Sequence, residues 1–109
     1  MQEMLPDGPG TAGHTLWTIE DEAGQDVGDM WVGPNSRDPG SIYIYDIEVR
    51  PDARGRGIGQ GAMEALEAWA RGEGYPRIGL QVFGSNDVAR RLYRRLGYVE
   101  TNVLMQKSI

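Results

Sequence analysis

The fold is decided by the stretch Val49-Arg50-Pro51-Asp52-Ala53-Arg54-Gly55-Arg56-Gly57-Ile58-Gly59. A β-rich run over residues 41–49 leads into it, and an amphipathic helix over about residues 57–71 follows it. The unpaired amides and the dipole of a helix N-terminus favour an anion, and glycine lets a phosphate approach the backbone closely. Arg54 and Arg56 add two permanent charges whose donors suit phosphate oxygens. The stretch therefore predicts a cradle for a pyrophosphate.

Two nucleotide-binding motifs do not fit this loop. Residues 57–62 match the dinucleotide pattern G-x-G-x-x-G/A, but that pattern needs an acidic residue about 20 positions later, at the end of the second strand. The strand predicted over residues 77–83 ends without one. A Walker loop needs Gly-Lys-Ser/Thr, and the only lysine of the chain is Lys107.

Two sequence blocks instead resemble the GNAT acetyltransferase superfamily, from about residue 42 onward. The first block resembles the family's acyl-CoA signature, and it reads Val49-x-Pro51 followed by Arg54-x-x-Gly57-x-Gly59. The second block stands at the family's spacing, and it reads Asn86-x-x-Ala89-x-x-Leu92-Tyr93-x-x-Leu96-Gly97-Tyr98. One glycine motif is weak evidence, whereas two blocks in the right order and spacing are strong evidence.

Composition predicts a single soluble domain over residues 1–109. The chain is 39% hydrophobic and 25% charged, which is ordinary for a globular protein. It has no apolar run of membrane-spanning length and no signal-peptide pattern, so we expect a cytoplasmic protein without a membrane partner. The absence of cysteine excludes an acyl-cysteine intermediate, and a single histidine, His14, cannot build a histidine-rich metal site. No metal is expected.

Charge is distributed unevenly along the chain. Residues 1–48 carry ten acids and one arginine, a net charge of −9, whereas residues 49–109 have a net charge of +4. The positive half contains the proposed cradle, so the acidic half is expected to face a cationic amine acceptor. The alternative is that these acids only keep the protein soluble. The overall charge of −5 disfavours nucleic acid as a partner.

Hydrophobic periodicity predicts an α/β fold with a mixed, mostly antiparallel sheet and two helices. Residues 1–13 should be irregular, and the predicted order is β-β-β-α-β-α-β, which matches the later part of the GNAT fold. Strands are predicted over residues 14–20, 27–32, 42–49, 78–83 and 98–107, and helices over about 57–71 and 86–96. The first helix should bury one face, made of Ile58, Ala62, Ala65, Leu66, Trp69 and Ala70. The second helix should be capped by Ser85 or Asn86 and should turn inward Val88, Ala89, Leu92 and Leu96.

The resemblance implies an N-acetyltransferase that moves the acetyl group of acetyl-CoA directly to an amine within a ternary complex. A protonated amine cannot attack a thioester, so a base is needed. Strand alternation places Asp46 and Glu48 on one face unless a bulge intervenes. Glu48 is our first candidate for the base and Asp46 the second; the alternative is that both are exposed acids without a role in catalysis. Tyr93 occupies the family's tyrosine position and would protonate the leaving thiolate, unless its ring only packs.

The resemblance also implies the contacts to coenzyme A. Backbone groups of Ile47 and Val49 would bind the pantetheine as an added strand. Asn86 would hydrogen-bond the pantetheine, cap the second helix, or do both. Tyr93 would lie beside the sulfur. The pyrophosphate would contact the loop residues Arg54, Gly55, Arg56, Gly57, Ile58, Gly59 and Gln60.

One departure from the family concerns the N-terminal part. Family members usually begin with a strand and two helices that form a wall of the acceptor site, and only thirteen residues precede the first predicted strand. Three explanations stay open: a truncation, a minimal enzyme with an open acceptor site, or a homodimer in which a partner completes the wall. A non-catalytic acetyl-CoA-binding module is the alternative function. The acceptor is expected to be either a small-molecule amine or a peptide amine.

Overall fold

The computed structural model describes residues 2–3 and 13–109, which form one sheet and two helices. The strands are β1 (Gln2–Glu3), β2 (Thr15–Glu20), β3 (Asp26–Pro34), β4 (Ser41–Val49) and β5 (Arg77–Leu80). A 3-10 turn over Pro51–Ala53 leads to α1 (Ile58–Gly72), and α2 (Asp87–Arg95) follows β5.

The sheet has the strand order β1-β2-β3-β4-β5. The first four strands are antiparallel, whereas β5 runs parallel to β4 after the crossover through α1. The pairing of β3 with β4 shifts register between Trp31 and Val32, because Trp31 lies opposite Asp46 while Val32 lies opposite Ile44. Tyr45 is therefore the extra residue of a β-bulge.

The core lies between one face of the sheet and α1. The sheet contributes Met30, Val32 and Ile42, and α1 contributes Met63 and Leu66, all nearly inaccessible to solvent. Helical periodicity predicts Leu66 on this buried face, but it missed Met63, and Ala65 of the predicted face is exposed. The other buried apolar residues are Trp17, Ile19, Val27, Ile44, Ala53, Ala62 and Ala70.

The predicted fold class is confirmed, but the strand predicted over residues 98–107 is wrong. Residues 98–109 pair with no described strand, and Leu104 is 94% exposed. β5 ends at Leu80 and is therefore also shorter than the prediction of residues 78–83. Val88 of α2 is exposed, not inward-facing.

The prediction of an irregular segment over residues 1–13 is wrong at Gln2–Glu3, where the backbone pairs with Thr18 and Trp17 of β2. The rest of that prediction, at residue 1 and residues 4–12, lies outside the described residues. Within residues 2–3 and 13–109, no helix has the length and apolar character needed to cross a membrane.

An exposed ion pair ties the loop before β4 to the start of β5. Arg77 donates to both carboxylate oxygens of Asp38, with N–O distances of 2.7 and 2.8 Å. These hydrogen bonds hold the pKa of Asp38 below its ordinary value. The pair therefore helps to fix the outer strand beside β4.

The substitution Leu66→Ala should lower the free energy of unfolding by about 2–5 kcal/mol, because it leaves a cavity between α1 and the sheet. Glu64→Ala is the matched control, since Glu64 is exposed on the same helix. Urea denaturation measures the free energy of unfolding of both variants. Equal stability of the two variants would contradict this packing of α1.

The substitution Asp38→Asn should lower the melting temperature at neutral pH but not in strong acid. The pKa of Asp38 is lower in the folded chain than in the unfolded one, so its contribution exists above the unfolded pKa and disappears as the pH falls through the folded pKa. Thermal melts of wild type and variant across this pH range provide the measurement, with Asp87→Asn as control. A difference that persists in acid would refute the assignment.

Candidate active site

The loop between β4 and α1 presents backbone donors to solvent. Gly55 and Gly57 have positive φ angles of 80° and 75°, and a Cβ added at either would meet no atom within 4 Å. Gly57 is the N-cap of α1 and offers no capping side chain, and the first turn holds no acidic residue. The first amides of α1 therefore keep their hydrogen-bonding capacity beside the positive end of the helix dipole.

Two arginines flank these donors, and each is tied to the loop through one nitrogen. Arg54 donates Nε to the carbonyl of Val49 at 3.0 Å, and Arg56 donates Nε to the carbonyl of Ala53 at 3.4 Å. Both residues are exposed. Their remaining guanidinium nitrogens have no hydrogen bond with a described residue, so the loop combines backbone donors with two cations. This arrangement suits a pyrophosphate.

The C-terminal half of β4 is paired on one side only. Its contact with β5 covers Ser41 to Ile44, whereas its contact with β3 continues to Val49. Among the described residues, the β5 side of β4 has no strand partner beyond Ile44. Ile47 and Val49 therefore border an open sheet edge that leads directly to the glycine loop, although the Val49 carbonyl already accepts the bond from Arg54.

The face of β4 away from the core carries the predicted base candidates. The bulge at Tyr45 precedes Asp46, and the register from Asp46 to Val49 is regular, so Asp46 and Glu48 share one face. Both are exposed. Asp29 lies opposite Glu48 on β3, and carboxylate oxygens of the three acids lie within 4.8 Å of one another.

Sequence reasoning missed Asp29 as a member of this group. The pKa of Asp29 is raised, mainly by desolvation and to a smaller extent by the negative charges of Asp46 and Asp26. The three carboxylates repel one another, and a cation placed among them would reduce this repulsion. The sequence signal for Asp29 is the alternation along β3, which places Asp29 and Trp31 on one face. The pairing register of β3 with β4 then puts Asp29 beside Glu48.

The second block brings α2 beside the start of α1. A Cβ added at Gly59 would lie 3.5 Å from Cδ2 of Leu92, so the two helices touch at the glycine loop. Asn86 caps α2 by accepting a hydrogen bond from the amide of Ala89 at 3.1 Å, which confirms its capping role. The amide nitrogen of its side chain has no described partner and can still donate.

Tyr93 packs its ring against the core and against Tyr98, with ring centroids 5.9 Å apart. Burial raises the pKa of the Tyr93 phenol. The hydroxyl is therefore protonated at neutral pH. The packing role is confirmed by these contacts, and the chemical role stays a prediction.

A cavity of about 520 Å³ lies on the other side of the loop. It shares Arg56 and Ile58 with the cradle, and its opposite wall is the acidic turn between β2 and β3, around Asp21. None of the three clustered carboxylates lines it. The cavity is therefore separate from the face where the base candidates lie.

Comparisons with known proteins point to one family. The model of the acetyltransferase (GNAT) family matches residues 6–98. The chain is 32% identical to the uncharacterized N-acetyltransferase YdgE of Bacillus subtilis over 99% of its own length and 69% of that protein. It is 34% identical to a second Bacillus subtilis N-acetyltransferase, YycN, over 98% of its length and 69% of that protein.

Solved structures give the same result. The crystal structure of YycN matches with a TM-score of 0.85 at 35% identity, over 96% of this chain and 68% of that one. The aminoglycoside N-acetyltransferase AAC(6')-Iy, solved in complex with CoA, matches at 18% identity with a TM-score of 0.70, over 89% of this chain and 76% of that one, and this likeness shows the fold alone. The chain belongs to the GNAT family of acetyltransferases.

Proposed function

We propose that this chain transfers the acetyl group of acetyl-CoA directly to an amine acceptor within a ternary complex. The observation that carries the proposal is the position of Asp46 and Glu48. They lie in the half of β4 that β5 leaves unpaired, so a base stands beside the strand along which the pantetheine and its thioester would run.

The geometry of the loop fits the pyrophosphate of coenzyme A. Gly55 and Gly57 leave open space where a side chain would otherwise project, so phosphate oxygens can reach the backbone amides. Arg54 and Arg56 supply positive charge, and Ile58, Gly59 and Gln60 supply the first amides of α1. The absence of a capping side chain at Gly57 supports this role, because a phosphate would replace the missing cap.

The open edge of β4 supports the pantetheine contacts. An extended chain carrying amides can add to an unpaired strand edge through backbone hydrogen bonds. Ile47 and Val49 border this edge next to the cradle. The pantetheine would run from the loop back along β4, so the acetyl group would lie toward Ile44, where the pairing with β5 begins. The side-chain amide of Asn86, which has no partner among the described residues, would reach the pantetheine from the start of α2.

The chemistry proceeds by attack of the neutral amine. Glu48 takes a proton from the ammonium, with Asp46 as the second candidate. The amine nitrogen forms a bond to the acetyl carbon, and the carbon–sulfur bond breaks. The thiolate that leaves takes a proton from the Tyr93 hydroxyl, and the second proton of the amine nitrogen, lost as the amide forms, returns the Tyr93 phenolate to its neutral form. The products are an amide and free coenzyme A.

The substitution Glu48→Gln should lower kcat by about 10²–10⁴-fold at neutral pH, because the amine then loses its proton acceptor. The Michaelis constant for acetyl-CoA should change little, since Glu48 does not contact the coenzyme. Asp87→Asn, an exposed acid of α2, is the control. Release of free thiol with a panel of amines gives both constants; an unchanged rate in Glu48→Gln that falls in Asp46→Asn would transfer the role to Asp46.

The substitution Gly57→Ala should weaken acetyl-CoA binding by about tenfold or more, because its methyl group occupies the space proposed for the phosphate. Gly74→Ala is matched to it, since Gly74 has a φ of 85° and equally open surroundings at the far end of α1. Both variants therefore carry the same backbone strain.

Calorimetric titration with acetyl-CoA and with coenzyme A measures this effect. Equal affinities for the two glycine variants would contradict the cradle. Binding of acetyl-CoA without acetylation of any amine would favour a non-catalytic module over an enzyme.

A further inference from the structure

The sheet face opposite the core carries four rings in mutual contact, which we call the aromatic cluster: His14, Trp31, Tyr43 and Tyr45. Tyr45 lies at its centre, with centroid distances of 5.1 Å to Trp31, 5.0 Å to Tyr43 and 5.0 Å to His14. The rings of Trp31 and Tyr45 are stacked at an interplanar angle of 26°. Trp17, by contrast, is a core residue that is 3% exposed.

Two polar atoms of the cluster are already satisfied within the protein. The Trp31 indole Nε1 donates to Nδ1 of His14 at 2.9 Å, and the Tyr45 hydroxyl donates to the carbonyl of Pro34 at 2.7 Å. Tyr45 nevertheless remains 42% exposed. What Trp31 and Tyr45 offer to solvent is therefore mainly ring carbon, held in fixed positions. Such a surface favours a planar apolar group over one that needs hydrogen bonds.

The position of the His14 imidazole ring depends on the absence of a side chain at Gly33. A Cβ added at Gly33 would contact the imidazole ring at 2.5–2.8 Å, so a larger residue there would displace His14. His14 in turn orients the Trp31 indole through the hydrogen bond to Nδ1. The cluster is thus positioned by backbone close approach as well as by ring contacts.

The aromatic cluster is continuous with the carboxylates described above. Trp31 lies directly opposite Asp46, and Asp29 follows two residues away on the same face of β3, opposite Glu48. Two residues along a strand correspond to about 6.8 Å. A molecule with a ring on Trp31 and Tyr45 can therefore place a group on a short carbon chain beside Glu48.

We propose that the amine acceptor is an arylalkylamine, in which a short carbon chain joins a primary amine to a planar aromatic ring. The ring packs on Trp31 and Tyr45, and the ammonium lies among the carboxylates that include Glu48. The carboxylates alone would attract any amine, so the aromatic cluster supplies the selection. This inference rests on the proposed function, because it names the substrate of the same site.

Competing amines test the inference with the full chain. Free-thiol release should give a kcat/KM for 2-phenylethylamine about tenfold or more above that for hexylamine, which lacks the ring. In Tyr45→Leu, the ratio of the two kcat/KM values should fall to about one, mainly through a higher KM for 2-phenylethylamine. Tyr75→Leu removes a ring outside the cluster and should keep the preference.

Several outcomes would overturn the inference. Equal use of the two amines by wild type, or a parallel fall of both in Tyr45→Leu, would remove the ring-binding role. Preference for spermidine over both amines would assign the selection to the carboxylates. If sedimentation shows a wild-type dimer that Tyr45→Leu dissociates, the aromatic cluster is a contact with a second copy and not an acceptor site.

A binding measurement separates this inference from the proposed function. Titration of 2-phenylethylamine into the protein should shift the indole N–H resonance of Trp31, and hexylamine should not. If this shift appears but no amine is acetylated, the proposed function fails while the ring site stands. If amines are acetylated and the Trp31 resonance does not move, the ring site alone fails.

Discussion

The site depends on the point at which β4 loses one of its two neighbours. β5 pairs with β4 only as far as Ile44, whereas β3 holds β4 to its end at Val49. The second half of β4 is therefore fixed in position by one neighbour and open along the other edge. A ligand can bind this edge as a strand would, and β4 delivers it to the glycine loop and to α1. The short length of β5 is thus a condition of the site.

Positive and negative groups lie close to this end of β4, but on different sides of its backbone. Arg54 and Arg56 lie in the loop with the amides of α1, and the carboxylates lie on the sheet face. The raised pKa of Asp29 reflects desolvation and the repulsion of neighbouring acids. An ammonium would relieve that repulsion, and a diphosphate would neutralise the loop. The uneven charge of the two halves of the sequence therefore becomes a local arrangement suited to two ligands of opposite sign.

The sequence predicted the elements that local rules control, and it failed where partners from distant segments decide. The span of α1, its Gly57 start and the Asn86 cap follow from periodicity and capping. The strand predicted over residues 98–107 has suitable alternation, but alternation does not show whether a partner strand is available, and these residues pair with no described strand. Asp29 was missed because only the register of β3 against β4 places it beside Glu48.

The bulge at Tyr45 explains why rings and carboxylates share one face. Ile44 points into the core, and strict alternation would place Tyr45 outward and Asp46 inward. An inward Asp46 would bury a charge against the core, which is costly. The extra residue resets the alternation, so Tyr45 contacts Trp31 while Asp46 also faces outward and Ile47 returns to the core side. The inserted residue therefore adds the central ring of the aromatic cluster without turning Asp46 inward, which keeps together the two features on which the proposed amine binding depends.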